Sequence, residues 1–195
     1  IGYSDITALL MGVVSQSKLF AFHGPTVLAE WGEFPKVMEY TRAEFTRLVT
    51  QGRTEDHALR APLFYCEEYV DWALRPFRER VHVKTVPWLW SGSKRRVGRL
   101  VGGNVETLTA LVGTPYLPSL GDSILLVEFS GRSLSRFEQC IAQLSQTGVF
   151  IDVVGVIVGR NFRTEEFGNE EMLAVLQRYI DRDSVPCVVG VELGH

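Results

Sequence analysis

The stretch from Ser123 to Val191 constrains the fold more than any other, because short apolar runs alternate there with segments whose apolar residues recur at helical spacing. Ser123 to Glu128 reads as a strand, and Leu134, Phe137, Ile141 and Leu144 form a helical stripe that finishes at Gly148. Ile151 to Val158 is a second strand, Glu170 to Ile180 a second helix and Pro186 to Val191 a third strand. That order predicts an α/β layer with right-handed crossovers.

Upstream the signals are more local. Ser4-Asp5 can cap a helix from Asp5 to Ser15 built on Ile6, Leu9, Leu10 and Val13. A short strand is expected at Leu19 to Phe22, His23-Gly24-Pro25 punctuates the chain, and Thr41 to Thr50 reads as a helix with Phe45 and Leu48 on one face. Gly102-Gly103-Asn104 reads as a turn or bulge leading into a helix from Val105 to Val112, which Gly113-Thr114-Pro115 ends. Between Leu74 and Gly98 no period holds. That stretch carries His82, Trp88 and Trp90, then Ser91-Gly92-Ser93 and three basic residues. Large aromatics on an irregular segment suggest a binding loop, and the alternative is that both tryptophans cover a domain seam.

The bulk numbers exclude several classes. With 46% hydrophobic and 22% charged residues the chain is globular rather than disordered. A formal net charge of -3, with Lys94-Arg95-Arg96 the densest basic cluster, argues against nucleic acid as a partner. The apolar runs are far below the roughly 20 residues of a membrane helix, so no membrane association is expected. Cys66, Cys140 and Cys187 have no C-x-x-C spacing and cannot all pair, which points to a reducing, cytoplasmic setting and to no zinc site.

Two residues stand at strand ends, where α/β sheets present chemistry. Glu128 follows Ile124 to Val127, where a carboxylate is costly unless it is paired. His195 follows Val191-Glu192-Leu193-Gly194, and the glycine lets the backbone turn and aim the ring. Each alone fits a surface charge or a surface histidine. Together they suggest a carboxylate that orients a general-base imidazole. No serine lies in a G-x-S-x-G elbow, so the nucleophile is expected outside the chain. His23 is a second candidate, with a turn residue as its alternative.

Six motifs resemble, in order, those of LD-carboxypeptidases and microcin C self-immunity proteins: Ile1 to Thr7, Phe22 to Pro25, Arg99 to Asn104, Gly113 to Pro118, Ile124 to Glu128 and Gly194-His195. The resemblance implies an α/β protein: the C-terminal part of a flavodoxin-like domain (1–73), a linker and specificity loop (74–98), and a smaller α/β domain of swivelling type (99–195). It implies a Ser-Glu-His triad with Glu128 and His195 as two members and a serine elbow ahead of Ile1, the chain being an excerpt that opens without methionine. Phe129 departs from the aspartate usual after the family glutamate. Trp88, Trp90 and Asn104 are expected to bind substrate. The tryptophans favour cleavage of an aminoacyl or peptidyl amide to a nucleotide-like moiety, an indole face adding about 1–3 kcal/mol per stacked base. The alternatives are release of the terminal D-alanine from a murein tetrapeptide and a non-catalytic binding module. No cofactor or metal is implied; a small peptide or peptidyl-nucleotide substrate and a homodimer are.

Overall fold

The computed structural model describes residues 1–17, 19–50, 57–71, 73–74, 78–162 and 167–195. In chain order it contains α1 (Ile6–Gln16), a π-helical turn (Val27–Trp31), α2 (Glu39–Thr50), β1 (Phe64–Tyr65), β2 (Val83–Lys84), β3 (Leu89–Ser91), β4 (Arg99–Asn104), α3 (Val105–Leu111), β5 (Ser123–Glu128), α4 (Leu134–Gln146), α5 (Val149–Asp152), β6 (Gly155–Gly159), α6 (Asn169–Tyr179) and β7 (Cys187–Val191).

The centre is a five-stranded sheet in the order β3-β7-β6-β5-β4, in which β4 to β7 are parallel and β3 runs antiparallel against β7. This is the expected α/β layer. Helix α4 shows why it forms. Ser133 accepts the Arg136 N–H as N-cap, Phe137, Cys140, Ile141 and Leu144 bury one stripe, and Gly148 at φ +79° ends the run. That stripe packs with Val127, Val158, Met172 and Leu176 in one core, where each large side chain contributes about 1.5–3 kcal/mol by leaving water. Leu10 and Met11 of α1 join the same core.

Four readings differ from the sequence expectation. Leu19 to Phe22 forms no strand; Leu19 and Phe20 are exposed, and the backbone makes only an isolated bridge between Gly2 and His23. Gly102 and Gly103, expected in a turn, lie inside β4. They are glycines because a Cβ on Gly102 would stand 1.8 Å from the Leu126 carbonyl oxygen and one on Gly103 2.5 Å from Thr7 Oγ1. The run expected as a strand from Ile151 begins as the helical turn α5, and β6 starts at Gly155. The stretch expected as a linker supplies β2, which pairs with β1, and the edge strand β3 of the main sheet.

Candidate active site

Glu128 is the last residue of β5 and only 1% exposed. A carboxylate so deep needs partners for both oxygens. Oε2 lies 2.9 Å from Nδ1 of His195, and Oε1 accepts the backbone N–H of Ser4 at 3.2 Å. Asn104, its register partner on β4, adds a side-chain hydrogen bond. Burial raises the pKa of Glu128, but the His195 hydrogen bond and charge, with His23 and Asn104 behind them, outweigh it and hold the carboxyl below its ordinary value.

His195 reaches this carboxylate through Gly194, which has φ +80°. A Cβ there would also lie 2.6 Å from Glu128 Oε2, so glycine is required for both conformation and space. The edge-on ring of Tyr3 packs on the imidazole with centroids 4.6 Å apart, and Phe162 approaches it at 6.0 Å. Tyr3 is itself anchored by its hydroxyl, which donates to Glu30 Oε1 at 2.9 Å; burial and that carboxylate push its pKa up to about 12.

Ser4 is where structure and sequence reading part most. The pair Ser4-Asp5 was expected to cap α1, yet Asp5 makes no side-chain cap and Ser4 has φ +58°. A non-glycine residue in that region, on a sharp turn between a bridged residue and a helix, carries strain of the kind stored at functional sites. Gly2 makes the turn, since a Cβ there would stand 2.7 Å from Ile6 Cγ2. Thr7, fully buried in the first turn of α1, accepts the Asn104 N–H at 3.0 Å. Two hydrogen bonds therefore stitch the start of α1 to the carboxyl ends of β4 and β5. The signal was present as half a pattern: Gly2-Tyr3-Ser4 supplies G-x-S, and Ile6 replaces the second glycine of the elbow.

The structure also brings His23 to the pair. Its backbone is bridged to Gly2, with Gly2 N–H donating to the Phe22 carbonyl and Gly24 N–H to the Gly2 carbonyl, both at 3.2 Å. Both ring nitrogens are covered and, among the described residues, without a hydrogen-bond partner. Burial pushes its pKa down, against the pull of Glu128 and with the repulsion of His195, so the ring is held neutral. The tryptophans differ in their surroundings. Trp88 donates its indole N–H to Glu192 Oε2 at 3.0 Å, and Trp90, 69% exposed, pairs with Val188 near the amino end of β7. Asn104 spends its oxygen on the Thr107 N–H at 3.1 Å, capping α3. Among the described residues, no group of three or more His, Cys, Asp and Glu is placed to hold a metal ion, and no helix is long and apolar enough to cross a membrane.

Residues 97–195 match the family model of the LD-carboxypeptidase C-terminal domain. The chain belongs to the LD-carboxypeptidase family. A Vibrio cholerae protein carrying a carboxypeptidase name is 31% identical over the whole chain, and the microcin C7 self-immunity protein MccF of Escherichia coli is 29% identical. The chain spans 58% and 57% of these two relatives. A Bacillus subtilis relative named as a murein peptide carboxypeptidase is 28% identical over the whole chain, which covers 54% of it. The solved structure of MccF in complex with aspartyl sulfamoyl adenosine superposes on the whole chain and 58% of its own, with a TM-score of 0.87 at 27% identity. The LD-carboxypeptidase resemblance seen in the six motifs and the α/β layer thus agree with these comparisons.

Proposed function

We propose that the polypeptide containing this chain is a serine-type amide hydrolase in which Ser4, His195 and Glu128 act as one unit, with Ser4 in the place expected ahead of Ile1. The observation that carries this reading is the division of the Glu128 carboxylate, one oxygen on the His195 ring and the other on the Ser4 backbone N–H. With Nδ1 of His195 committed to Glu128, Nε2 is the nitrogen left to act as base. Ser4 Oγ attacks the amide carbonyl, the imidazole takes the proton and returns it to the leaving amine, and water activated by the same imidazole then cleaves the acyl-Ser4 ester and restores the hydroxyl, while Glu128 fixes the tautomer and stabilises the imidazolium. The N–H of Asp5, which follows the nucleophile at the positive end of α1, is the oxyanion donor of this scheme.

The substrate of this reading is an aminoacyl or peptidyl group joined by an amide to a nucleotide-like moiety. Its support is the whole-chain likeness to MccF, whose structure holds aspartyl sulfamoyl adenosine. The Trp88 indole, spent on Glu192, is not part of that argument. The test is hydrolysis by the full-length polypeptide of an aminoacyl sulfamoyl adenylate and of a murein tetrapeptide ending in D-alanine. Preference for the adenylate supports the reading. Preference for the tetrapeptide replaces it with the carboxypeptidase one, and no turnover of either leaves a binding module.

A further inference from the structure

Asn161 is anomalous at this sheet edge. In the strand order, β6 lies between β5, which ends in Glu128, and β7, which leads to His195. Asn161 follows β6 by two residues. The Arg160 N–H donates to the Val191 carbonyl at 2.9 Å, which keeps the chain beside β7, and the Phe162 ring lies 6.0 Å from that of His195. Asn161 therefore sits at the carboxyl edge, between the two strand ends that supply the pair.

It is 5% exposed, and among the described residues neither its Nδ2 nor its Oδ1 has a hydrogen-bond partner. The contrast with Asn104, equally buried but bonded to Thr107 and Glu128, is direct. Buried amides in folded proteins are satisfied, because an unmet donor or acceptor forfeits its hydration without return. Leucine has nearly the same size and would not carry that cost. A residue that destabilises the resting fold at the edge where substrate is expected is explained by a partner that arrives with the substrate.

We propose that Asn161 is a specificity-determining residue that hydrogen-bonds a peptide amide of the acyl substrate beside the Glu128–His195 pair, an inference that rests on reading the site as an amide hydrolase. An uncharged amide offers one donor and one acceptor, which matches a carboxamide offering both. A substrate carboxylate would leave Oδ1 unmet and bring a further negative charge towards Glu128.

The experiment uses the full-length polypeptide, with Asn161→Leu as the main variant. Three quantities are measured: thermal midpoint without substrate, rate of labelling by a small fluorophosphonate, and kcat and KM on the aminoacyl sulfamoyl adenylate and the murein tetrapeptide. Labelling needs only the serine and its activating pair. The expected result is an unchanged or raised midpoint, labelling within about twofold of wild type, and a loss of about 10- to 100-fold in kcat/KM, mostly in KM. Asn161→Asp, which keeps the shape and removes the donors, shows the same loss and serves if the leucine variant does not fold. Wild-type kcat/KM in both variants overturns the proposal. So does a lowered midpoint with slowed labelling, which would make Asn161 a structural support. Labelling that survives Ser4→Ala would instead remove the hydrolase reading itself, and this proposal with it.

Discussion

The two parts of this chain are held together differently. From Arg99 onward the strands and helices bury a contiguous core, whereas in the described residues between 19 and 98 Val70 is the one buried hydrophobic side chain. There the chain is fastened by ion pairs: Arg80 to Glu33, Arg78 to Glu68, and Arg160 of the sheet edge to Glu67 at 3.0 Å, with the Arg160 guanidinium 3.5 Å over the Tyr65 ring. The difference teaches how the site is divided. The packed part supplies the rigid carboxylate and its histidine, and the loosely packed part supplies neighbours that approach them, His23 above all.

Substitutions sharpen this comparison. The largest effect belongs to the rigid half: Glu128→Gln should lower kcat by about 10⁴ in the full-length polypeptide while leaving the fold intact, since the imidazole loses its orienting charge. A drop below tenfold would mean that the pairing at 2.9 Å is structural only. Phe137→Ala should cost about 3–5 kcal/mol in denaturant unfolding, because the ring is fully buried in the core and leaves a cavity. A cost below 1 kcal/mol, on the other hand, would show a core able to collapse.

Smaller effects fall on the other half. His23→Phe should alter the pH dependence of stability. The pKa of His23 is lowered from 6.5, so the unfolded chain takes up its proton first, and stability is present above pH 6.5 and lost as the pH falls below it. The variant should lose part of that decline in urea midpoints measured between pH 7 and 5, and an unchanged profile would show that the covered ring does not titrate in folding. Glu128, held low, works at more acid pH: its contribution is present above the ordinary carboxylate range and lost as the pH falls through the depressed value. The smallest effect is expected for Trp90→Ala, within about 0.5 kcal/mol of wild-type stability and with wild-type KM, because the side chain is exposed on an edge strand. A raised KM for the adenylate alone would restore Trp90 as a stacking residue.

Much of the packed half was legible because its patterns are local. Five apolar residues with period 2 or 3.6 need only their neighbours to announce a strand or a helix, and Glu128 at a strand end and Gly194 before His195 were visible in the same way. The glycines of β4 were misread because glycine signals a turn and a close approach with the same letter, and only Leu126 and Thr7 packed against them tell the two apart. Leu89 to Ser91 was too short to show a period, and its place in the sheet depends on β7, almost a hundred residues later.

The sequence by itself therefore determined the alternation of strand and helix from Ser123 to Val191 and the Glu128 and His195 positions, since each rests on short-range periodicity or on one residue's place at the end of a run. Only the tertiary structure decided that Ser4 turns its backbone N–H onto Glu128 rather than capping a helix. It also decided that His23 meets the same pair and that Asn161 is buried without a partner among the described residues. The Ser4 contact joins residues 124 positions apart within hydrogen-bond reach, and no local pattern encodes such a distance.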